Sequence, residues 1–519
     1  MKIRQQLSAD GLHKTIKSVF LKTPEHRKNH KNIDIPLADA LMSGFAVFSQ
    51  KSPSLLNFQE RALSPGEGEN IKNLYNIGKI PSDTQLRDVL DPVSPSSIAP
   101  AFKKVFRELQ RGKGLEPLVW DVTGGYLGAI DATGFFSSTN VKCDQCLIKE
   151  LKSKSIKDIE KEIKKEVKKE IKEELKNKSK DEAKKILKMK VSERLAEKLE
   201  REDITVEKVY QHQLLGLGLV HPHIKTSIPF CPEPIVNADG SEKNDCEINA
   251  AKRLLEKFRN DHPHLKMTIT GDDLYSRAPF MRLLDKDKYD MNYILVAKES
   301  SHEYLFQYVD ALEKIPIFER DDLPEVKTME EEDTEGVKIL KTITRKYRFV
   351  NNVPLNEGNE DLKVNFLEYW ETEEYVDKDG VPHKNQRFYS SWITDIEITE
   401  DNVYQIMRGG RSRWNVENCV FNTLKNQGYQ LDHNFGHGHE NLSTNFAFLM
   451  MLAFLVDQVQ ELCCKLFQEA RKELKTKYRL WEEVRILIKY FKFDNWEMLL
   501  KKIIRPVQLP ASVAMSNSS

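Results

Sequence analysis

The stretch Ser412–His439 reads SRWNVENCVFNTLKNQGYQLDHNFGHGH, and its first half has the spacing of a helix. Arg413 and Glu417 are four residues apart, which places both side chains on one face of that helix. Apolar contacts around the same helix are expected from Trp414, Val416, Phe421 and Leu424. A glutamate carried on a packed helix can be directed at a fixed point such as a metal ion. The rest of the chain therefore matters chiefly for carboxylates that converge on the same point.

Composition indicates a soluble protein of several domains. The chain has 519 residues, with 80 basic and 80 acidic side chains, so net charge alone suggests no polyanionic partner. Seven cysteines make no disulfide framework and fit a reducing compartment. The N-terminus lacks the apolar core of a signal peptide, and the apolar run Phe446–Val456 is shorter than the about 20 residues that span a bilayer. We expect a cytoplasmic protein without a membrane partner.

Two further acidic residues stand where strands are predicted to end. The segment Tyr126–Thr133, YLGAIDAT, reads as a strand with Asp131 near its end. A second strand, MTITG, is followed by Asp272 and Asp273, and a helix and a buried strand come after it. This order predicts an α/β sheet, and sites in such sheets are built at the carboxyl ends of the strands. The alternative for each aspartate is a turn residue that caps the next segment.

The regions between these motifs have three different characters. Residues 1–100 look helical, and the basic tract Lys22–Lys31 is either a solvated surface, the favoured interpretation, or a contact for DNA ends. From 147 to 202 a thin stripe of isoleucine, valine and leucine runs through Lys and Glu, which predicts a charged helix or helical hairpin that packs on a partner helix. Its interleaved glutamates disfavour a surface that tracks phosphates. From 303 to 391 the alternation has period 2, typical of a β subdomain.

The three acidic motifs resemble those of the DDE transposases of bacterial insertion sequences, specifically the insertion-sequence-four-like group, in which the third acidic residue follows a β insertion. The resemblance covers Pro36 to Gln458, with LGAIDATGF around Asp131, TGDDLYS around Asp272 and RWNVENCVFNTLK around Glu417. The last motif is similar to the tyrosine–arginine–glutamate–lysine signature of the group.

Two positions depart from that signature. Gly410 stands where the tyrosine would fall, and Lys425 comes one residue late, with Leu424 in the expected place. On an α-helix a displacement of one residue turns a side chain by about 100°. Arg413 and Glu417 are therefore firmer assignments than Lys425.

The resemblance implies an RNase H-like mixed sheet with helices, interrupted by an all-β insertion and a charged helical insertion. The expected organisation has five parts. They are a helical N-terminal domain (1–100) with possible DNA-end binding, a first catalytic part (101–302) containing the charged insertion (147–205), a β-rich insertion (303–395), a second catalytic part (396–460), and C-terminal helices with a disordered tail (461–519).

The resemblance also implies the chemistry. Phosphodiester cleavage needs an activated water and a stabilised leaving oxygen, which two metal ions can supply, and Mg²⁺ prefers oxygen ligands. We expect Asp131 to bridge two Mg²⁺ ions, with Mn²⁺ as a possible substitute, and Asp272 and Glu417 to hold one each. Asp273 is the rival of Asp272. The DNA contacts are expected from Arg413, Lys298 and Lys425.

Three smaller motifs leave alternatives open. Cys143-Asp-Gln-Cys146 could bind zinc with His212, Cys231 or Cys246, but a single C-x-x-C without a second close pair disfavours zinc. The cluster of His433, His437 and His439 could contact DNA or satisfy its own loop. Trp370 and Trp392 could stack on a flipped base, although packing within the sheet is favoured.

The predicted function is a DNA transposase that cleaves the ends of an insertion sequence and joins them to target DNA. The expected assembly is a homodimer on double-stranded DNA, in a bacterial cytoplasm and associated with the nucleoid when bound. One alternative is a decayed or domesticated relative that binds DNA without cutting. A second, from another class, is a coiled-coil scaffold protein built around 147–202.

Overall fold

The fold is taken from a computed structural model. It describes residues 6–28, 33–152, 156–170, 186–195, 206–236, 246–312, 315, 317–319, 329–332, 338–377 and 380–505. The predicted disordered tail, at the end of 461–519, and part of the basic tract Lys22–Lys31 lie outside these residues.

Helices dominate both ends of the described chain. They are α1 (Ala9–Phe20), α2 (Leu37–Ser49), α3 (Leu55–Leu63), α4 (Pro65–Tyr75), α5 (Asp83–Leu90), α6 (Ala99–Arg111), α7 (Ile156–Glu170), α8 (Glu247–Asp261), α9 (Ala278–Leu284), α10 (Glu303–Ala311), α11 (Val403–Arg411), α12 (Asn422–Asn426), α13 (Leu442–Cys463), α14 (Lys465–Leu474), α15 (Lys477–Tyr490) and α16 (Trp496–Ile504). A π-helical segment, Val416–Phe421, precedes α12. Short 3₁₀ turns are Pro95–Ser97, Glu116–Leu118, Glu299–Ser301 and Glu357–Asn359.

The strands form one mixed sheet. They are β1 (Val119–Trp120), β2 (Gly125–Ser138), β3 (Leu147–Lys152), β4 (Val206–Val220), β5 (Ile228–Pro229), β6 (Glu233–Ile235), β7 (Met267–Gly271), β8 (Asn292–Val296), β9 (Phe318–Glu319), β10 (Met329–Glu332), β11 (Lys338–Pro354), β12 (Lys363–Val376) and β13 (Pro382–Thr394). The main order is β10-β11-β12-β13-β8-β7-β2-β4-β3, and β5 and β6 pair with β4.

The centre of the sheet joins two kinds of pairing. β2 runs antiparallel to β4 and parallel to β7, and β7 runs parallel to β8. Every residue of β7 is buried, as expected for a strand covered on both faces. The connection from β7 to β8 contains the short helix α9. The carboxyl ends of β2, β7 and β8 therefore point to the same side of the molecule.

The inserted β strands extend this central sheet. β13 pairs antiparallel with β8, with Trp392 opposite Val296 and Ile393 opposite Leu295. β12 and β11 then continue outward in long antiparallel ladders. The predicted insertion 303–395 also contains α10, and its strands share backbone hydrogen bonds with the strands that precede it. It is thus continuous with the sheet and is not a separate one.

Helices from the two ends of the chain pack on each other. Gly44 of α2 lies so close to α13 that an added Cβ would approach Leu449 to 2.8 Å. The Asn445 amide of α13 donates to the carbonyls of Leu90 and Val93. The predicted N-terminal domain 1–100 therefore has no core of its own, because its buried residues belong to the cluster that also contains α13 to α16.

Helix α13 contains the apolar run Phe446–Val456 and is longer than that run suggested. Among the described residues it is the one helix long and apolar enough to cross a membrane by length and composition. Its most apolar window is 83% buried inside the protein. Packing on α2 accounts for its apolar character.

The charged insertion is described in two helical parts. α7 and residues 186–195 pack through Ile163, Val167 and Val191, with Ile186, Leu187 and Leu195 at the margin. Arg194 pairs with Glu170 across them at 2.6 Å. This small apolar contact is separate from the main core.

Candidate active site

Asp131 and Asp272 are brought together by strand register. The parallel pairing of β2 with β7 places Gly128 opposite Ile269 and Ala129 opposite Thr270. Asp131 lies two residues beyond Ala129, within β2, and Asp272 lies two residues beyond Thr270, directly after the end of β7, so the two aspartates come at the same level of the paired strands. A carboxylate at each position is therefore carried to one edge by backbone hydrogen bonding alone.

Glu417 reaches this edge through a glycine on the other neighbour of β2. Gly216 of β4 pairs with Asp131. An added Cβ at Gly216 would lie 2.9 Å from the ring of Phe421, so the absence of a side chain lets the π-helical segment pack directly on β4. Phe421 is buried, whereas Glu417 on the same segment is exposed. The segment thus buries one face and leaves its glutamate free to face the two aspartates.

The helix around Glu417 differs from the single regular helix that the spacing predicts. α11 ends at Arg411, a turn covers Ser412 and Arg413, and the backbone then adopts the π-helical form. Arg413 and Glu417 are therefore not successive turns of one α-helix. A π-helical turn holds about one residue more than an α-helical turn, and such turns are common at functional sites.

Asp131 is close enough to Asp272 and Glu417 for both charges to act on its carboxyl group. Burial raises the pKa of the Asp131 carboxyl, and the charges of Asp272 and Glu417 raise it further. The Arg413 guanidinium, 3.4 Å from Asp131 Oδ2, and the Ala132 N–H act in the opposite direction. A group that is destabilised by nearby like charges gains from a bound cation, and the donor set of carboxylate oxygens is the one that hard divalent ions prefer.

Glu247 is a fourth carboxylate at this site, which sequence reasoning missed. It is the first residue of α8, and the charges of Asp272 and Asp131 reach it. Burial raises the pKa of its carboxyl, although the Tyr275 hydroxyl donates a hydrogen bond to it. The helix begins directly after Cys246. Its sequence resembles an ordinary helix start, so no local signal marks Glu247 as part of the site.

Asp273 faces away from the acidic group. Its Oδ1 accepts the Lys298 N–H at 3.0 Å and the Ser301 hydroxyl, and His302 Nε2 lies 3.6 Å away. Asp273 therefore ties the end of β7 to the turn after β8, whereas Asp272 acts on Asp131 and Glu247. Lys298 is exposed on that turn and its backbone is fixed by Asp273.

The two signature basic residues have different surroundings. Arg413 is mostly buried between Asp131 and the ring of Trp414, which is 50% exposed. Lys425 lies on α12 and its ammonium is 3.4 Å from Asp432. Arg413 is thus placed beside the acidic group, and Lys425 is paired outside it.

Trp392 explains the glycine in place of the signature tyrosine. An added Cβ at Gly410 would lie 2.5 Å from Trp392 Nε1, and the indole is 1% exposed. Trp392 therefore belongs to the core of the sheet. Trp370 is half-buried on β12, near Tyr389 and Arg348.

Two of the clustered histidines have neighbours within the protein: a residue at the end of α5 binds the backbone N–H of His439, and the ring of His433 packs within its own loop. The His439 N–H donates to Asp91 Oδ2 at 2.8 Å, and the His433 ring packs edge-on against Phe435 at 4.8 Å.

Comparison with known proteins gives a structural similarity but no sequence match. The sequence matches no protein-family model and no curated protein. Among solved structures, the chain is similar to piggyBac transposase in a cryo-EM structure of its synaptic complex with hairpin DNA, with a TM-score of 0.39 and 11% identity. The similarity covers 98% of this chain and 82% of that chain. A TM-score this low does not by itself assign a fold.

Proposed function

We propose that this protein is a DNA transposase of the DDE type, which cleaves the ends of a mobile element and joins them to target DNA. The observation that carries the proposal is that Asp131 and Asp272 each lie two residues beyond the paired residues Ala129 and Thr270, while Gly216, which pairs with Asp131, packs against Phe421 of the segment that carries Glu417. The central strands β6-β4-β2-β7-β8 have the mixed order expected of an RNase H-like catalytic core. The motifs around the three residues resemble the insertion-sequence-four-like group.

The site has the ligands for divalent cations. Asp131, Asp272 and Glu417 would hold Mg²⁺ or Mn²⁺, and Asp131, flanked by the other two, would be shared. When bound, such ions lower the pKa of a water and stabilise the charge on the leaving oxygen. The chain supplies the carboxylates. The Arg413 guanidinium beside Asp131 favours the ionised form of that carboxylate.

Positive groups around the acidic edge would contact DNA. Arg413 is near enough to Asp131 to contact a phosphate adjacent to the cleaved bond, in exchange for its present ion pair. Lys298, exposed on the turn after β8, would contact the same backbone. The expected assembly on DNA is a homodimer.

The test uses DNA from both flanks of the encoding gene, where a mobile element carries its terminal inverted repeats. Plasmids that carry these flanks are incubated with the full chain and Mg²⁺ or Mn²⁺, and strand breaks are mapped. Asp131→Asn, Asp272→Asn and Glu417→Gln should each lower cleavage by about 1,000-fold or more, since a lost metal ligand removes several kcal/mol of transition-state stabilisation. Equal cleavage by all four proteins would refute the proposal.

Binding measurements separate the alternatives. A decayed relative would bind the flanking DNA and cut with neither metal. A coiled-coil scaffold would bind no flanking DNA, and its function would survive loss of all three carboxylates. Calorimetric titration with Mn²⁺ gives a readout independent of cleavage, because wild type should bind it and Asp131→Asn should bind it much more weakly.

A further inference from the structure

Four side chains that are far apart in sequence meet beside the sheet. Cys143 and Cys146 lie in the connection from β2 to β3, His212 lies on β4, and His437 lies in the loop before α13. One ligand atom from each lies within 4.8 Å of those of the other three. Cys146, His212 and His437 are buried, and Cys143 is half-buried. The sequence alone disfavoured zinc because no second close pair follows the C-x-x-C, yet folding supplies that pair from two histidines.

Five of the six distances within this Cys–His cluster are close to those of a tetrahedral site, and the sixth, between the ligand atoms of Cys143 and His437, lies within 4.8 Å. Zinc bonds of about 2.3 Å to sulfur and about 2.0 Å to nitrogen imply gaps of about 3.8 Å between sulfurs, 3.5 Å between sulfur and nitrogen and 3.3 Å between nitrogens. The two Sγ atoms are 3.8 Å apart. His212 Nε2 is 3.5 Å from Cys143 Sγ and 3.3 Å from Cys146 Sγ, and His437 Nε2 is 3.4 Å from Cys146 Sγ. The two Nε2 atoms are 3.1 Å apart.

We propose that Cys143, Cys146, His212 and His437 form a structural zinc site. The four protein ligands complete a tetrahedron and leave no open position, which distinguishes a structural zinc from a catalytic one. Loading the site releases one proton from each thiol and leaves both imidazoles neutral, so two thiolates balance the charge of one Zn²⁺.

The surroundings hold the ligands in the required form. His437 Nδ1 lies 2.9 Å from the Gly438 carbonyl, so that nitrogen carries the proton and Nε2 is left free for a metal. The Cys143 N–H donates to Cys146 Sγ at 3.4 Å, as backbone groups do around zinc-bound sulfur. The rings of Phe135 and Phe136 pack on His212, and Phe136 also packs on His437.

The loop of His437 is built to present that side chain. Gly436 and Gly438 on either side of it have φ of +143° and +71°, a backbone region that favours glycine. Asp91 then accepts the N–H groups of His439, Glu440 and Leu442. A zinc ion would join this loop, the C-x-x-C connection and β4. It would therefore fix the chain between the segment of Glu417 and α13.

Metal analysis of the purified full chain tests this proposal. Elemental analysis should find about one zinc per chain in the wild type. Cys143→Ser and His437→Ala should each lose most of it, and Cys231→Ser, a half-buried cysteine outside the cluster, should keep it. Should either ligand variant fail to fold, the wild type still decides. A mercurial reagent that reacts with the two zinc-bound thiolates should release the zinc from the wild type. Replacement of zinc by cobalt should give the visible spectrum of a tetrahedral site with sulfur and nitrogen ligands.

Three results would overturn the proposal. One is a reduced wild-type chain that contains no zinc and takes none up. Another is a zinc content equal in Cys143→Ser and Cys231→Ser. The third is a native disulfide between Cys143 and Cys146, detected by mass spectrometry, because the cluster would then be a redox pair. DNA cleavage is needed for none of these measurements, so the zinc site stands or falls apart from the proposed function.

Discussion

Two adjacent aspartates after β7 have opposite roles, although the sequence presents them as equals. Asp272 acts on Asp131 and Glu247 across the strand ends. Asp273 accepts two hydrogen bonds from the turn after β8. A strand alternates its side chains between two faces, so neighbours at its end diverge. The contrast gives a matched pair of variants that differ by one position.

Asp272→Asn should abolish metal-dependent cleavage and leave thermal stability near that of the wild type, because Asp272 is partly exposed and its neighbours are acidic. Asp273→Asn should retain cleavage and lose about 1–2 kcal/mol of stability, since it weakens the hydrogen bonds that the carboxylate accepts from the Lys298 N–H and the Ser301 hydroxyl. Thermal denaturation and plasmid cleavage measured on both variants check this. The reverse assignment of effects would show that Asp273 is the ligand.

Glu247 should modulate the site without being essential to it. Its carboxyl accepts a hydrogen bond from the Tyr275 hydroxyl and is close enough to Asp272 for the two charges to interact. A residue in such a position can orient a metal ligand and change its charge. Glu247→Gln should weaken Mn²⁺ binding by about 10-fold, as loss of such outer partners does. Cleavage at saturating metal should remain within a few fold of wild type. Total loss of cleavage at every metal concentration would make Glu247 a ligand in its own right.

At the scale of elements, glycines decide how the helices meet the sheet. Gly216 admits Phe421 against β4, and Gly410 of α11 admits the indole of Trp392. Each contact joins two different elements, so neither glycine has a visible reason in its own segment. The tyrosine of the signature is excluded at position 410 by the tryptophan that fills the space.

Gly410→Ala should destabilise the protein by about 2–3 kcal/mol, because the new Cβ enters a packed core and the buried indole has little room to move. Trp392→Leu alone should also destabilise it, through a cavity. Combined, the two substitutions should cost less than their sum by about 1 kcal/mol or more, since the smaller side chain makes room for the methyl group. Urea denaturation of the four proteins measures this coupling. Strict additivity would mean that the two positions do not compete for the same space.

Over the whole molecule, the features that depend on local sequence could be predicted, and the features that depend on contacts between distant segments could not. Patterns within about ten residues predict the strand that carries Asp131, the strand that Asp272 follows and the packed segment of Glu417, but β2 continues to Ser138, so Asp131 lies within that strand and not near its end as predicted. Glu247 and the Cys–His cluster depend on contacts between segments far apart in the chain, which periodicity does not report. For the same reason the shared core of the N- and C-terminal helices, and the continuity of the β insertion with the sheet, were not predicted.

The contact between the chain's two helical ends should be sensitive to acid. His13 of α1 stacks on Trp496 of α16, with ring centroids 5.3 Å apart, and burial lowers its pKa from 6.5 to about 4. Between these pH values the unfolded chain binds a proton that the folded chain excludes, so stability is retained above pH 6.5 and falls as the pH drops towards 4. The loss is on the order of 3 kcal/mol.

His13→Leu should flatten this dependence. Its melting temperature should fall less than that of the wild type between pH 6.5 and 4.5, and His264→Leu, at an exposed position, should behave as the wild type does. Thermal denaturation at several pH values makes the comparison. Parallel curves for all three proteins would show that His13 does not set the acid sensitivity.

The hydrogen-bonded pairing of β3 with β4 has a practical consequence. Lys152 and Val206 are cross-strand partners, so the chain departs from the sheet and rejoins it at a single rung of the ladder. Any segment inserted between Lys152 and Val206 needs only to have its two ends as close together as those of a hairpin turn. The site is thus a natural attachment point, where a reporter or a binding module could be grafted, or a two-residue turn substituted, without stretching the strands on either side.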